Sequence, residues 1–380
     1  MALYAGLISG TSMDGVEAVL LEIGAAGPAA NLQVRAAIHH DYPPALGQRL
    51  RSIVAAPHTL GIDEYGRLDV EVGHVFADAL RALLRFSGFA AGDLRAVGSH
   101  GQTLLHRPRG VIPFTLQIGD PTVIAEACGI DVVADFRRRD IAAGGEGAPL
   151  APAFHAAAFS KPGETRVVVN IGGISNVTLL ESGGHVAGFD TGPGNCLMDL
   201  WAEEQLHEPF DRDGAYAASG CVHQPLLLRM LAEPYLTLPF PKSSGRELFN
   251  RAWLDNALAG LGLKPQDVQA TLCEYTARTI CDAILDLAGM VPVTLLVCGG
   301  GAYNAQLMLR LSALLAARVP GVNVSSTASC GIAPEHVEGA LFAWLAHRFA
   351  EGRPGNLPAV SGACGPRVLG ALHRGTVTNL

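Results

Sequence analysis

Apolar positions along the chain fall into short continuous runs alternating with longer periodic stretches. Residues 5–20, AGLISGTSMDGVEAVL, read as an apolar strand, a small-residue turn and a second apolar strand. Residues 31–40 continue as a third strand, closing a meander, and Pro43 and Pro44 end it. Leu68, Val72, Val75, Phe76, Ala79, Leu80 and Leu83 recur at the spacing of one helix face. They predict an amphipathic helix over 65–86, stopped by Gly88. LRAVGSHGQT (94–103) then runs as a strand into a polar turn. A Pro-rich loop, a strand at FTLQIGD (114–120), a helix over 121–129 and a strand at IDVVADF (130–136) follow.

The pattern then starts again. Arg137, Arg138 and Arg139 with AAGGEGAPLAP (142–152) read as a crossover, and a helix is expected at 151–160. RVVVNIGGISNVTLLE (166–181) repeats the opening: a buried strand, a Gly/Ser/Asn turn, a second strand. HVAGFDTGPGNCLMDLWAEE (185–204) reads as a strand, a tight Gly-Pro-Gly turn and a helix. Amphipathic helices at 271–289 and 304–318 flank VTLLVCGGGAYN (293–304), a buried strand ending in three glycines. A last long helix spans 335–350, and SGACGPRVLGALHRG (361–375) leads to a short final segment. A twofold repeat of this kind predicts two similar α/β lobes facing each other across a cleft, the sort of place ligands favour.

Composition narrows the class. At 380 residues, one core does not readily serve the whole chain. Half the residues are apolar, net charge is −8 and no Lys/Arg-rich run exists, so nucleic acid is not indicated as a partner. The eight cysteines are scattered with no Cys-x-x-Cys pair, which predicts neither a zinc site nor a disulfide framework. No leader pattern and no run of roughly 20 apolar residues is present, so the expectation is a cytoplasmic protein without a membrane span.

Candidate chemistry sits at the turns. Ser9, Gly10, Thr11, Ser12 and Gly15 offer backbone N–H groups and short hydroxyls that can wrap an anion closely. Asp14 at the tip suits a hydrated cation beside phosphate oxygens. Alone, the stretch reads slightly better as a plain hairpin with Asp-Gly in its turn. The equivalent turn at 171–176 reverses that order, with a β-bulge as the other reading of Gly172 and Gly173. Asp190 ends a strand before a glycine-rich turn. From the residues alone a catalytic carboxylate and a cap for the helix near Asn195 stand level.

GTSMDG (10–15), NIGGISN (170–176) and VCGGGAYN (297–304) together resemble the actin-like, sugar kinase and heat-shock chaperone ATPase superfamily. More closely, the chain resembles the anhydro-N-acetylmuramic acid kinase family. That likeness rests on ISGTSMDGVE (8–17), SHGQT (99–103), LQIGD (116–120), DFRRRDIAAGGEGAPLAPAFH (135–155), NIGGISNVT (170–178), GFDTGPGNCLMD (188–199), PKSSGRELFN (241–250), VCGGGAYN (297–304) and SGACGPRVLGA (361–371). It spans essentially the whole chain.

The resemblance implies an α/β fold of two actin-like (ribonuclease H-like) lobes, each a mixed sheet flanked by helices, with the active site between them. The lobes are expected at 1–135 and 136–380, the tail from about 361 returning to the first. It implies ATP and Mg2+, the ion meeting Asp14 through water, and a homodimer. Gly10, Thr11, Ser12, Met13, Asp14, Gly15, Val16 and Glu17 become the first phosphate turn. Gly172, Gly173 and Asn176 become the second, and Gly299, Gly300, Gly301 and Asn304 the adenosine turn. Asp190 becomes the catalytic base, with Glu338 as a possible assistant that reads equally well as a solvated helix glutamate. His100, Gln102, Thr103, Gln117, Asp120 and Arg137 become sugar-binding candidates, Arg137 for the lactyl carboxylate. Lys242, Ser243, Ser244, Gly245 and Arg246 fall near the mouth of the site or start a surface helix with Ser244 as cap and Glu247 three residues on.

The implied reaction is opening of an anhydro-sugar ring by water coupled to phosphorylation, in peptidoglycan recycling. An ordinary sugar or carboxylic acid kinase of the same fold would instead require a free hydroxyl on its substrate. A non-enzymatic sensor or chaperone-like ATPase would bring a further peptide- or DNA-binding domain, and no segment of the sequence suggests one.

Overall fold

The computed structural model describes residues 1–24, 32–240, 242–245, 247–288 and 294–376. Its strands, in chain order, are β1 (Ala2–Ser9), β2 (Gly15–Ile23), β3 (Leu32–Asp41), β4 (Leu94–Arg107), β5 (Phe114–Ile118) and β6 (Val132–Ala134). The chain continues with β7 (Arg166–Ile171), β8 (Ile174–Leu180), β9 (Val186–Pro193), β10 (Thr294–Cys298), β11 (Asn323–Ser326) and β12 (Ala371–His373). One sheet runs β12-β6-β4-β1-β2-β3 with β5 hanging off β4; the other runs β11-β10-β7-β8-β9.

Each sheet begins as an antiparallel meander, β1–β3 or β7–β9. Each then adds two parallel strands beside the first strand of that meander: β4 and β6, or β10 and β11. Counting β5 as an insertion, both sheets therefore have the strand order three, two, one, four, five. The repeat in the sequence is a repeat of topology, and the fold is a pair of actin-like (ribonuclease H-like) α/β lobes.

The chain divides into two compact units, Met1–Ala158 together with the chain from His336 on, and Phe159–Glu335. The first is longer than the expected 1–135 and takes back more than the tail. The reason is packing: His100 and Phe136 lie against Phe342, and Phe154 against Trp344, all within the first unit.

In that unit, one face of the meander (Ala5, Leu7, Val16, Ala18, Leu20) forms a core with Leu68, Val72, Phe76, Leu80 and Leu83 of the helix Ile62–Ser87. Gly88, at φ +76°, ends the helix with its N–H on the Leu84 carbonyl. Strand residues alternate in direction, so Gly6 faces the other way. An added Cβ on Gly6 would lie 1.9 Å from the Gly339 carbonyl oxygen, and one on Gly98 2.0 Å from that of Phe342. The helix Val337–Ala350 thus lies directly on the backbone of β1 and β4. In the second unit, Val167, Val169, Ile171, Val177 and Phe189 share a core with two helices. These supply Tyr275, Ile280 and Ile284 (Pro265–Ala288) and Leu307, Leu311 and Leu315 (Ala305–Ala316).

Several elements depart from the pattern reading. The Arg137–Arg139 run, read as part of a crossover, lies inside a helix, Phe136–Ala142. Pro44 begins a helix, Pro44–Ala55, because proline's fixed φ and missing N–H fit a first helical turn. The helix after Lys242–Gly245 starts only at Arg251, capped by Asn250 Oδ1 accepting from Trp253 N at 3.1 Å, so Ser244 caps nothing. Pro241 and Arg246 lie outside the described residues. Among the described residues no helix is long and apolar enough to cross a membrane.

Candidate active site

The β1–β2 turn is anchored from below. Met13 adopts φ +52° and buries its side chain in the core, while Arg51 Nη1 donates to its carbonyl at 3.1 Å. Val16 is likewise core, so it offers the turn backbone only. Glu17 is half-buried in β2, opposite Ile8. Thr11, Ser12 and Asp14 are exposed, and Ser12 Oγ donates to Asp14 Oδ1 at 2.7 Å. A single exposed carboxylate with a hydroxyl beside it suits magnesium, which keeps several waters and binds through one or two carboxylates plus substrate phosphates.

Glycines sort by what a side chain would meet. A Cβ on Gly10 would touch only Ser12 Oγ, at 4.0 Å; on Gly172 only Ile174 O, at 3.5 Å; on Gly300 only Asn195 Nδ2, at 3.8 Å. The fold does not require glycine at these three positions. It does require it at Gly15 (2.4 Å from His40 O), Gly299 (2.4 Å from Asn170 Oδ1) and Gly301 (2.3 Å from Ile171 Cγ2). Asn304 caps the helix Ala305–Ala316, its Oδ1 accepting from Leu307 N at 3.0 Å.

The second turn is tied to the segment after Asp190. Asn195 N donates to Gly172 O at 2.8 Å, and Gly194 N and Cys196 N donate to Gly173 O at 2.9 and 3.0 Å. A trans peptide directs its C=O and N–H oppositely, so the N–H groups of Gly173 and Ile174 point away from that segment.

Asp190 lies within β9, which runs on to Pro193, opposite Asn176 across a register shift in the ladder. It caps no helix. Its Oδ2 accepts from Ser244 N at 3.0 Å, its carbonyl accepts from Tyr235 Oη at 2.7 Å, and its N–H donates to Lys242 O at 3.1 Å. The residue keeps partial exposure while protein crowds its carboxyl. Burial raises that carboxyl to about 6 against the lowering effect of the Ser244 N–H, with Glu247 adding to the rise. Lys242 points elsewhere: its Nζ donates to the Tyr235 and Leu236 carbonyls and lies over the Tyr235 and Phe189 rings.

In the first unit a buried polar group forms where β4 leaves β1. Ser9 Oγ donates to Gln102 Oε1 at 2.6 Å. Gln117 Nε2 donates to Thr103 Oγ1 at 3.1 Å and Thr115 Oγ1 at 2.7 Å. Arg137 Nε donates to His100 Nε2 at 3.0 Å. Arginine has nothing to accept with, so the His100 proton sits on Nδ1 and donates to Gly101 O at 3.0 Å. Burial, then the Arg137 charge, push His100 well below its usual range, so it is neutral. Arg137 Nη1 donates to Gly147 O at 2.8 Å, leaving Nη2 without a hydrogen bond among the described residues. Burial lowers Arg137 to about 10, opposed by Glu338 and Asp140, and it stays charged at neutral pH.

Compared with known proteins, residues 2–375 match the family described as Anhydro-N-acetylmuramic acid kinase. The chain belongs to the anhydro-N-acetylmuramic acid kinase family. Curated relatives of that name include one from Pseudomonas paraeruginosa, 52% identical over 378 residues, covering 98% of this chain and 99% of that protein. One from Xanthomonas campestris pv. campestris is 49% identical over 373 residues, covering 98% and 97%. One from Vibrio cholerae is 47% identical over 374 residues, covering 98% of each. Among solved structures, a ROK family glucokinase from Streptomyces griseus in complex with glucose and AMPPNP is 13% identical, with a TM-score of 0.41, over 91% of this chain and 100% of that one.

In this member of the anhydro-N-acetylmuramic acid kinase family, the sequence-derived residues gather into two sets. His100, Gln102, Thr103, Gln117, Arg137 and the 10–17 turn belong to the first unit; Asp190, Asn176 and the other glycine turns belong to the second. Glu338 is exposed in the first turn of its helix and acts on the Arg137 charge. Asp120 stands apart: its Oδ1 accepts from Thr122 N at 2.8 Å as the N-cap of Pro121–Cys128. Sequence reasoning missed Tyr42, a buried residue whose N–H donates to Asp14 O at 2.8 Å and whose hydroxyl faces Ser9. It also missed Thr115 and His106, bonded to each other at 3.0 Å. An aromatic just before Pro-Pro was the only signal for Tyr42.

Proposed function

We propose that the chain opens the 1,6-anhydro ring of 1,6-anhydro-N-acetylmuramic acid with water and phosphorylates its 6-oxygen with ATP. The products are N-acetylmuramic acid 6-phosphate and ADP, a step of cell-wall recycling. Asp190 carries this assignment: a partly exposed carboxyl raised to about 6, with one backbone N–H on its oxygens. A general base works best when its pKa lies near the operating pH.

In this mechanism Asp190 takes a proton from water as the water oxygen bonds to the anomeric carbon. The bond from that carbon to the bridging 6-oxygen breaks as positive charge develops at the sugar. The freed 6-oxygen attacks the γ-phosphorus, ADP leaves, and the proton on Asp190 returns to solvent. Arg137 holds the lactyl carboxylate with its free Nη2 edge, and neutral His100 fixes the guanidinium. Gly10 and Gly172, where the fold leaves room above the backbone, let N–H groups approach the phosphates. Gly300 does the same for the adenosine. Asp14 would hold a magnesium ion through water, and that ion would supply neutralising charge to the phosphates. Glu338 assists in holding the attacking water. The same reading puts the enzyme in the cytoplasm as a homodimer.

The test is turnover of the anhydro sugar with magnesium-ATP in oxygen-18 water. One labelled oxygen at the anomeric position of a phosphorylated product is expected. An unlabelled phosphorylated product would point to direct attack by a free hydroxyl and an ordinary sugar kinase.

A further inference from the structure

Two segments singled out by sequence have no part in the chemistry above: the glycine-rich AAGGEGAPLAP (142–152) and the tail SGACGPR (361–367). They meet at one buried carboxylate. Asp140 is fully buried, and its charge acts on Arg137, one turn back along the same helix. Its Oδ2 accepts from Gly147 N at 2.8 Å, and its Oδ1 accepts from Asn356 Nδ2 at 2.7 Å and Ser361 Oγ at 2.8 Å. Arg137 and Asp140 lie three residues apart on one helix, hence on one face. They hold Gly147 from both ends: Asp140 takes its N–H and Arg137 donates to its carbonyl.

Gly147 sits at φ +68°, and a Cβ there would lie 3.0 Å from the Arg137 carbonyl oxygen, so the glycine is seated tightly against that helix. The tail closes the loop from outside. Glu146 N donates to Ser361 O at 2.7 Å, Cys364 N to Ala143 O at 2.8 Å, and Arg367 N to Asn356 Oδ1 at 2.7 Å. Loss of the Gly147, Asn356 or Ser361 donor leaves the Asp140 carboxylate less satisfied, and an unsatisfied buried charge drives rearrangement. Rearrangement here moves Gly147, and Gly147 sets the guanidinium.

We propose that Asp140 is a positioning residue: through Gly147 it fixes the Arg137 guanidinium for an anionic sugar, and the tail donors Asn356 and Ser361 hold Asp140 in turn. This rests on the assignment of Arg137 to the lactyl carboxylate. The tail is thereby a specificity element although none of its side chains need touch the substrate.

The test compares full-length wild type, Arg137→Lys, Asp140→Asn and Ser361→Ala. Calorimetry measures Kd for the anhydro sugar acid and for 1,6-anhydro-N-acetylglucosamine, the same ring without the lactyl carboxylate. Asp140→Asn is expected to weaken the acid by about tenfold, the scale of one misplaced charge-assisted contact, and the lactyl-free ring by less than about twofold. The ATP KM should stay within about twofold, and kcat should fall by less than the affinity does. Ser361→Ala should move the same ratio in the same direction by about threefold, and it decides if Asp140→Asn does not fold. A folded variant that keeps wild-type preference for the acid, while Arg137→Lys loses it, overturns the proposal alone. An unchanged preference in Arg137→Lys overturns the carboxylate assignment and this proposal with it.

Discussion

Replacing Asp190 with asparagine removes a charge that its surroundings disfavour while keeping an oxygen for the Ser244 N–H. The carboxyl is raised from 3.8 to about 6, chiefly by burial. A displacement of one pH unit corresponds to about 1.4 kcal/mol, so ionisation of Asp190 opposes folding by about 3 kcal/mol at most. The residue keeps partial exposure, and solvent screening brings a realistic figure to about 1–2 kcal/mol. The sign follows from proton counts. Below the unfolded value both states are protonated and nothing is lost. As pH rises through 4 to 6 the unfolded chain releases its proton first, so stability falls; above 6 the loss is constant. Asp190→Asn should therefore match wild type in Tm near pH 4 and exceed it by about 1–3 °C at pH 8, the shift that about 1–2 kcal/mol gives in a chain of 380 residues. The same variant should lose about 10²–10⁴ in kcat with ATP binding retained, the usual size of a lost general base. Wild-type kcat/KM should fall on the acid side with an apparent pKa near 6, because that ratio reports the free enzyme. Differential scanning fluorimetry across pH with steady-state rates at each point measures all three. A variant no more stable than wild type at pH 8, or one with substantial residual turnover, would refute the reasoning.

Two further outcomes follow from the glycines. Gly172→Ala should leave Tm within about 1 °C, because its Cβ meets ordinary van der Waals space, yet raise the ATP KM by about tenfold or more if phosphate approaches that backbone. An unchanged KM would remove Gly172 from phosphate binding. Gly98→Ala should cost about 3 kcal/mol or more, because its Cβ would sit 2.0 Å from a carbonyl oxygen of a rigid helix. Chemical denaturation measures this, and a neutral result would mean that helix Val337–Ala350 does not lie on β4 as described.

The order of elements was legible in the sequence because long apolar periods leave few alternatives. The helix Ile62–Ser87 and both meanders fell within a few residues of expectation. What escaped was short or carried no period. Phe136–Ala142 has three arginines in a row, yet its helix is fixed by Phe136 in the core and Arg137 on His100. The boundary between units escaped because the contacts that set it, such as Phe154 on Trp344, are distant in sequence. At the site, glycine turns and Asp190 were visible as local motifs. The Asp120 cap was equally local but was read as ligand-binding, since an Asp before Pro serves either purpose. Tyr42 and Asp140 act through partners far along the chain, and no local pattern marks them.

The two units share one strand order, yet they hold their candidate residues by opposite means. In the first, the sugar-side candidates are locked together: Ser9 to Gln102, Gln117 to Thr103, His100 to Arg137, Arg137 to Gly147, Gly147 to Asp140. Most donors and acceptors of that set are paired, which fixes geometry, while the Arg137 Nη2 edge makes no hydrogen bond among the described residues. In the second, Asp190 is held by its backbone, while its carboxylate takes a single N–H and stays close to neutral pH in its affinity for protons. A recognition surface gains from rigidity, because each ordered donor lowers the entropy lost on binding. A base gains from the reverse, because every added donor would lower its proton affinity and weaken it. On the proposed reading, the same scaffold carries a crowded polar network for discrimination and a sparsely bonded acid for moving a proton.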